Sequence, residues 1–181
     1  PSRTPAPPPP AGYPPPAPQR PSTEGATPYA QFRDRWNYDG FGADCLKLNV
    51  WSPGLDAAKR PVLVWLHGGG FSAGNGVEQD GYMGGNFARR HDVVFVSLNH
   101  RLNSFGFSDF AAVGGEKYKH SGNVGMLDII FALQWVHDNI AAFGGDPGNV
   151  TIMGQSGGGS KVTIAAAMPA AKGVGHKALA L

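Results

Sequence analysis

Apolar positions recur along this chain with two different periods, and their alternation sets the expected fold. Leu46-Lys47-Leu48-Asn49-Val50-Trp51 alternates apolar and polar residues, the pattern of a strand, and Ser52-Pro53-Gly54 ends it. Residues 62–66 (VLVWL) and 93–98 (VVFVSL) are near-continuous apolar runs, the pattern of strands covered on both faces. Between them, residues 72–86 are rich in Gly, Asn and Ser and read as a long loop, with 87–90 as the end of a short helix. Residues 99–125 read as irregular, with Phe105, Phe107 and Phe110 packed as a local cluster. The longest helical pattern runs from 126 to 143, where Ile129, Leu133, Val136 and Ile140 share one face of a 3.6-residue period. Gly144 and Gly145 stop it, and Asp146-Pro147-Gly148 turns the chain.

The pattern then changes within a few residues. Val150-Thr151-Ile152-Met153 reads as a short buried strand, Gly154-Gln155-Ser156-Gly157-Gly158 as a sharp turn, and 160–168 as a helix closed by Pro169. Residues 176–181 read as a connection entering another strand. Buried strands alternating with helices predict an α/β fold with a mostly parallel central sheet flanked by helices. Ligands of such sheets sit at the carboxyl ends of the strands. The two glycine-rich turns, 68–70 and 154–159, each follow a buried strand and are expected on the same edge.

Composition narrows the classes. The 181 residues suffice for one domain with a core. A net charge of +2, with no basic cluster interleaved with aromatics, argues against a nucleic-acid partner. No run of 18 apolar residues exists to form a membrane span, and the first residues lack the apolar segment of a secretory signal. Twelve of the 16 prolines fall in residues 1–28, which read as an irregular proline-rich segment preceding a folded unit over 29–181. The single cysteine, Cys45, reads as a small buried thiol with no intrachain disulfide open to it.

Strand, Gly-x-Ser-x-Gly turn and helix together form the context of a nucleophile elbow, with Ser156 held strained and exposed. A serine hydroxyl needs a base to take its proton and donors to hold the developing oxyanion. The backbone N–H of Gly157 is one candidate donor, and Gly69 and Gly70 in the first glycine turn are two more. The base is not legible. His67 reads as orienting the first glycine turn, and His137 lies on the long helix beside its apolar face. His91, His100, His120 and His176 lie in segments read as loops, with nothing to mark them. In the elbow order the acid and then the histidine follow the serine, and the 25 residues after Ser156 contain no Asp or Glu. Two nucleotide-binding patterns fail on spacing. Lys161 comes one residue late for a phosphate-binding loop starting at Gly154, and the segment after Gly68-x-Gly70-x-x-Ala73 has no helical period.

Several ordered motifs carry a resemblance. Asp44-Cys45-Leu46-Lys47-Leu48-Asn49-Val50-Trp51-Ser52-Pro53 resembles one signature of the type-B carboxylesterases, the cholinesterase-like branch of the α/β-hydrolases. Residues 143–158 (FGGDPGNVTIMGQSGG) are similar to the second, around the nucleophile. Residues 65–71 (WLHGGGF), 99–106 (NHRLNSFG) and 122–128 (GNVGMLD) resemble the same family in the same order, the bacterial para-nitrobenzyl-esterase-like members above all. The resemblance covers residues 43–181 and implies the N-terminal part of an α/β-hydrolase domain. It implies Ser156 as nucleophile and Gly69, Gly70 and Gly157 as oxyanion hole, acting on small-molecule carboxylic esters without metal or cofactor. The family's triad acid and histidine lie further downstream than this chain extends. Lys47 stands where the family usually has an aromatic residue or Thr, and Gln155 replaces a Glu that many members carry before the serine. The competing expectation is a binding protein that keeps the fold without the chemistry, or a catalytically inactive fragment.

Overall fold

The computed structural model describes Tyr13, residues 15–19 and residues 40–181. Most of the proline-rich segment, and residues 29–39 at the start of the expected folded unit, lie outside the described residues. Within them five strands form one sheet in the order β1-β3-β2-β4-β5. These are β1 (Leu48–Trp51), β2 (Arg60–Leu66), β3 (Val94–Leu98), β4 (Gly145–Gly154) and β5 (Lys177–Ala180). β1 runs antiparallel to β3, with Val50 opposite Val96, and the other three pairings are parallel. The helices are α1 (Gly85–His91), α2 (Asn103–Phe107), α3 (Ala111–Gly114), α4 (Val124–Asn139) and α5 (Gly157–Ala167). This is the mostly parallel α/β sheet that the periodicity predicts. No helix among the described residues is long and apolar enough to cross a membrane.

β-Branched residues dominate the strands because they pack well on a pleated surface. Val62, Val64, Val94, Val96, Val150 and Ile152 form the centre of one core, closed by Ile129, Leu133, Val136 and Ile140, all fully buried. The face read from the 3.6-residue period is therefore the packed face. β3 is buried along its whole length, as its apolar run requires. β2 is not: Val62, Val64 and Leu66 are buried, while Leu63 and Trp65 on the opposite face are half-covered. There Trp65 packs on Tyr82, with ring centroids 4.9 Å apart.

Four local expectations are corrected. The 99–125 region is broken into α2, α3 and two short 3₁₀ turns rather than being irregular. The phenylalanine cluster does not form: Phe105 and Phe110 are exposed, and Phe107 packs instead against Phe71 at 5.1 Å. The long helix is α-helical only to Asn139, and a 3₁₀ turn (Ile140–Phe143) carries it to Gly144, whose φ of +77° ends it. Asp146-Pro147-Gly148 lies inside β4 at an irregular register against β2 rather than forming a separate turn. Its turn chemistry survives there, since the Asp146 carboxylate accepts the Gly148 N–H at 2.8 Å.

Two of the sequence motifs, residues 99–106 and 122–128, meet through Arg101 and Asp128. Arg101 grips Asp128 of α4 through Nε at 2.8 Å, a terminal guanidinium nitrogen at 2.6 Å and its own backbone N–H at 3.0 Å. The bidentate fork suits a carboxylate that is only 7% exposed. Cys45 is fully buried against Ala17 and Leu102. Residues 15–19 pack onto the fold. Gln19 donates to and accepts from the backbone of Gly74, and Pro18 O accepts a bond from Asn103.

Candidate active site

β2 and β4 are adjacent and parallel, with Leu66 opposite Gly154. Their carboxyl ends therefore deliver the two glycine turns to one edge of the sheet, as expected from the pattern of buried strands. β4 passes into α5 through only two residues, Gln155 and Ser156. Ser156 sits at the junction with φ +59° and ψ −123°, and its side is solvent-exposed. A non-glycine residue in that region stores on the order of 1–3 kcal/mol of strain, which persists only where the surroundings over-determine it. Here they do. Ser156 N–H donates to Leu181 O at 2.8 Å, Leu181 N–H donates to Gly154 O, and Ser160 N–H reaches back to Ser156 O.

The helix begins at Gly157, three residues earlier than its sequence suggests. Three consecutive glycines are poor helix formers, but close approach rather than propensity selects them. A Cβ on Gly158 would lie 2.1 Å from Leu66 O, and one on Gly157 would lie 2.4–2.5 Å from the N, Cα and O of Gly70. The first turn of α5 is thus pressed directly against the turn leaving β2. That turn needs glycine for a second reason: Gly69 and Gly70 have φ of +81° and +64°. Gly69 O accepts the N–H groups of Ser72 and Ala73. Gly70 packs on Gly157 and Gly68 lies beside Ser156, so the turn carrying the exposed Gly69 and Gly70 meets the elbow at one edge. Beside the turn is a cavity of about 570 Å³, lined by Ser72, Ala73, Asn103, Phe105, Pro18 and Gln19 among others.

None of the described residues hydrogen-bonds the Ser156 hydroxyl. His91, His120, His137 and His176 are not buried, and His137 pairs with its neighbour Asp138. His67 and His100, in contrast, are fully buried and stacked face to face, with centroids 4.8 Å apart and planes within 6°. Each places Nδ1 2.9 Å from a backbone carbonyl, that of Gly68 or Arg101, which assigns the proton to Nδ1. Among the described residues, neither buried Nε2 has a hydrogen-bond partner. Burial, with the Lys161 ammonium second, holds both imidazoles neutral: His100 is lowered to about 3 and His67 lies well below 6.5. His67 shapes the turn, as its position suggests. The burial of His100 was not legible, because its neighbours Asn99 and Arg101 are polar.

Lys161 is the residue that the sequence least prepares one to find here. It is 0% exposed, and its Nζ donates to His67 O at 3.1 Å and lies 5.4 Å from the centre of the Phe71 ring. Burial lowers it to about 8, against the opposing pull of the Glu78 carboxylate. Gln155 is exposed, and Lys47 is a surface residue paired with Asp44.

Comparison with known proteins places this geometry. The carboxylesterase family model matches residues 11–181. Para-nitrobenzyl esterase of Bacillus subtilis (strain 168) is 47% identical over 136 residues, covering 75% of this chain and 27% of that protein. Phenmedipham hydrolase of Pseudarthrobacter oxydans is 45% identical over 139 residues, covering 77% and 26%. Among solved structures, an esterase from anaerobic Clostridium hathewayi that can hydrolyze aliphatic aromatic polyesters superposes with a TM-score of 0.83 at 46% identity. That match covers 93% of this chain and 33% of the esterase. The chain spans about a quarter to a third of the length of these relatives, and it belongs to the carboxylesterase family.

Proposed function

We propose that the chain carries the nucleophile elbow and oxyanion hole of a serine hydrolase acting on small-molecule carboxylic esters. The observation that carries this reading is the strained Ser156, exposed at the carboxyl edge of the sheet and packed against a turn whose glycines alone permit the approach. Ser156 Oγ attacks the ester carbonyl carbon as its proton passes to a general base. The carbonyl π pair moves onto oxygen, and the N–H groups of Gly69, Gly70 and Gly157 hold that charge. Collapse expels the alcohol, which takes up the proton, and leaves an acyl group on Ser156. Water then adds to the acyl carbon, and the acid departs as Oγ regains its proton. Each preorganised donor contributes about 3 kcal/mol to the transition state. N–H groups at the first turn of α5 suit this role because they have no partner within the helix.

The base and its acid partner are assigned to the family positions downstream of residue 181. The second reading, a fold retained for binding, draws on one observation, the absence of a described base on the Ser156 hydroxyl. The two are separated by pre-steady-state turnover of para-nitrophenyl acetate by the complete protein. A burst of para-nitrophenol equal to the enzyme concentration, abolished by Ser156→Ala, is expected. Turnover that survives Ser156→Ala, or no turnover of any ester, contradicts the proposal.

A further inference from the structure

Lys161 is a buried cation that no step of the proposed reaction uses. It enters from α5, five residues beyond Ser156, and reaches the turn that leaves β2, 94 residues earlier in the chain. It touches that turn at both ends. Nζ donates to the carbonyl of its first residue, His67, and lies over the ring of its last, Phe71. Between these anchors are Gly68, Gly69 and Gly70, whose backbone has no side chains of its own to hold it. The turn needs an external hold, because two of these glycines occupy left-handed conformations at an exposed edge. A methionine would fill the same volume without the cost of desolvating an ammonium. The charge therefore has a local use beyond packing.

We propose that Lys161 is a positioning residue that clamps the His67–Phe71 turn onto the elbow helix, so that the Gly69 and Gly70 N–H groups stay aimed at the oxygen that reacts beside Ser156. The proposal rests on the esterase reading above and names the residue that keeps its oxyanion hole in place. The titratable groups coupled to the ammonium are His67, His100 and Glu78. Burial holds the two imidazoles neutral, so neither adds a charge change beside the ammonium near pH 8. Above about pH 8 the ammonium loses a proton, its attraction to the Phe71 ring is lost, and its bond to His67 O weakens.

The test measures kcat, KM and their pH dependence for para-nitrophenyl acetate, using the complete protein, Lys161→Met and Ser156→Ala. Lys161→Met is expected to lower kcat roughly 100-fold, the effect of misplacing a group by about 1 Å. KM should stay within about threefold, since the donors act in the transition state. The kcat of the parent should fall reversibly as pH passes about 8, and Lys161→Met should lack that fall. A Lys161→Met enzyme with parental kcat and the same alkaline limb overturns the clamp while leaving the serine assignment intact. Ser156→Ala that keeps turnover overturns the esterase reading instead. Should Lys161→Met not fold, the parent decides: a kcat that stays level through pH 8 and beyond contradicts the proposal.

Discussion

Replacing Gly158 by alanine is the sharpest probe of the contact between the elbow and the turn beside it. The new Cβ would lie 2.1 Å from Leu66 O, 2.9 Å from His67 O and 3.0 Å from Leu66 C. Real Cβ atoms do not approach closer than 3.0 Å, so the gap must open by about 0.9 Å. Leu66 cannot yield alone. It is fully buried at the end of β2 and registered against Gly154 of β4. The displacement therefore falls on α5 or on the exposed glycine turn. Overpacking against backbone costs about 3 kcal/mol, and the better helix propensity of alanine returns about 1 kcal/mol. The net loss expected is about 2 kcal/mol. A shift near 1 Å between nucleophile and oxyanion donors lowers turnover roughly 100-fold. Urea unfolding and kcat for para-nitrophenyl acetate, both on the complete protein, measure the two effects. Gly81→Ala is the control, because a Cβ there meets nothing within 4 Å. A Gly158→Ala protein as stable as its parent, with kcat within about twofold, refutes the packing argument.

Other outcomes follow from the same geometry. Ser156→Gly abolishes turnover yet raises stability by about 1 kcal/mol, because relief of the strained φ outweighs the added chain entropy of glycine; a loss of stability in urea titrations contradicts this. Asp128→Ala removes the acceptor of the Arg101 guanidinium and of the Arg101 backbone N–H and costs about 2 kcal/mol, read from the shift in the urea midpoint. Lys161 contributes a pH dependence with a definite sign. Its folded pKa is lowered to about 8 from the ordinary 10.5, so below pH 8 it is charged in both states and its burial penalty is present in full. Between about 8 and 10.5 the unfolded chain binds more protons, and stability rises with pH, by up to about 3 kcal/mol. Lys161→Met should flatten that rise in unfolding midpoints taken across the window. The isolated 181-residue chain should hydrolyse para-nitrophenyl esters no faster than its own Ser156→Ala form, because no described base reaches the serine.

The central sheet was legible because β2 and β3 carry near-continuous apolar runs, and β4 keeps Val150 and Ile152 buried on one face within a β-branched stretch. The position of Ser156, Gly69, Gly70 and Gly157 was equally legible, since parallel strands necessarily end their turns on one edge. Features set by tertiary contact were harder to read. Gly157–Gly159 read as part of the glycine-rich turn, yet they form the first turn of α5, where Gly70, Leu66 and Leu181 leave no room for a Cβ. Phe105, Phe107 and Phe110 differ in burial because Phe71, 36 residues before Phe107, takes only that one as a partner. Lys161 looks like an ordinary helix lysine. Its burial depends on where the carbonyl of His67 points, and no local pattern encodes that direction.

The central claim is that Ser156 is the nucleophile, and covalent capture tests it most directly. The complete protein, incubated with a fluorophosphonate and digested, is examined by mass spectrometry for the modified residue. The account predicts a single adduct on the peptide that holds Gly154-Gln155-Ser156-Gly157, absent in Ser156→Ala and accompanied by full loss of ester turnover. An adduct on another residue that tracks the loss of activity, or an active enzyme that leaves Ser156 unmodified, would contradict it.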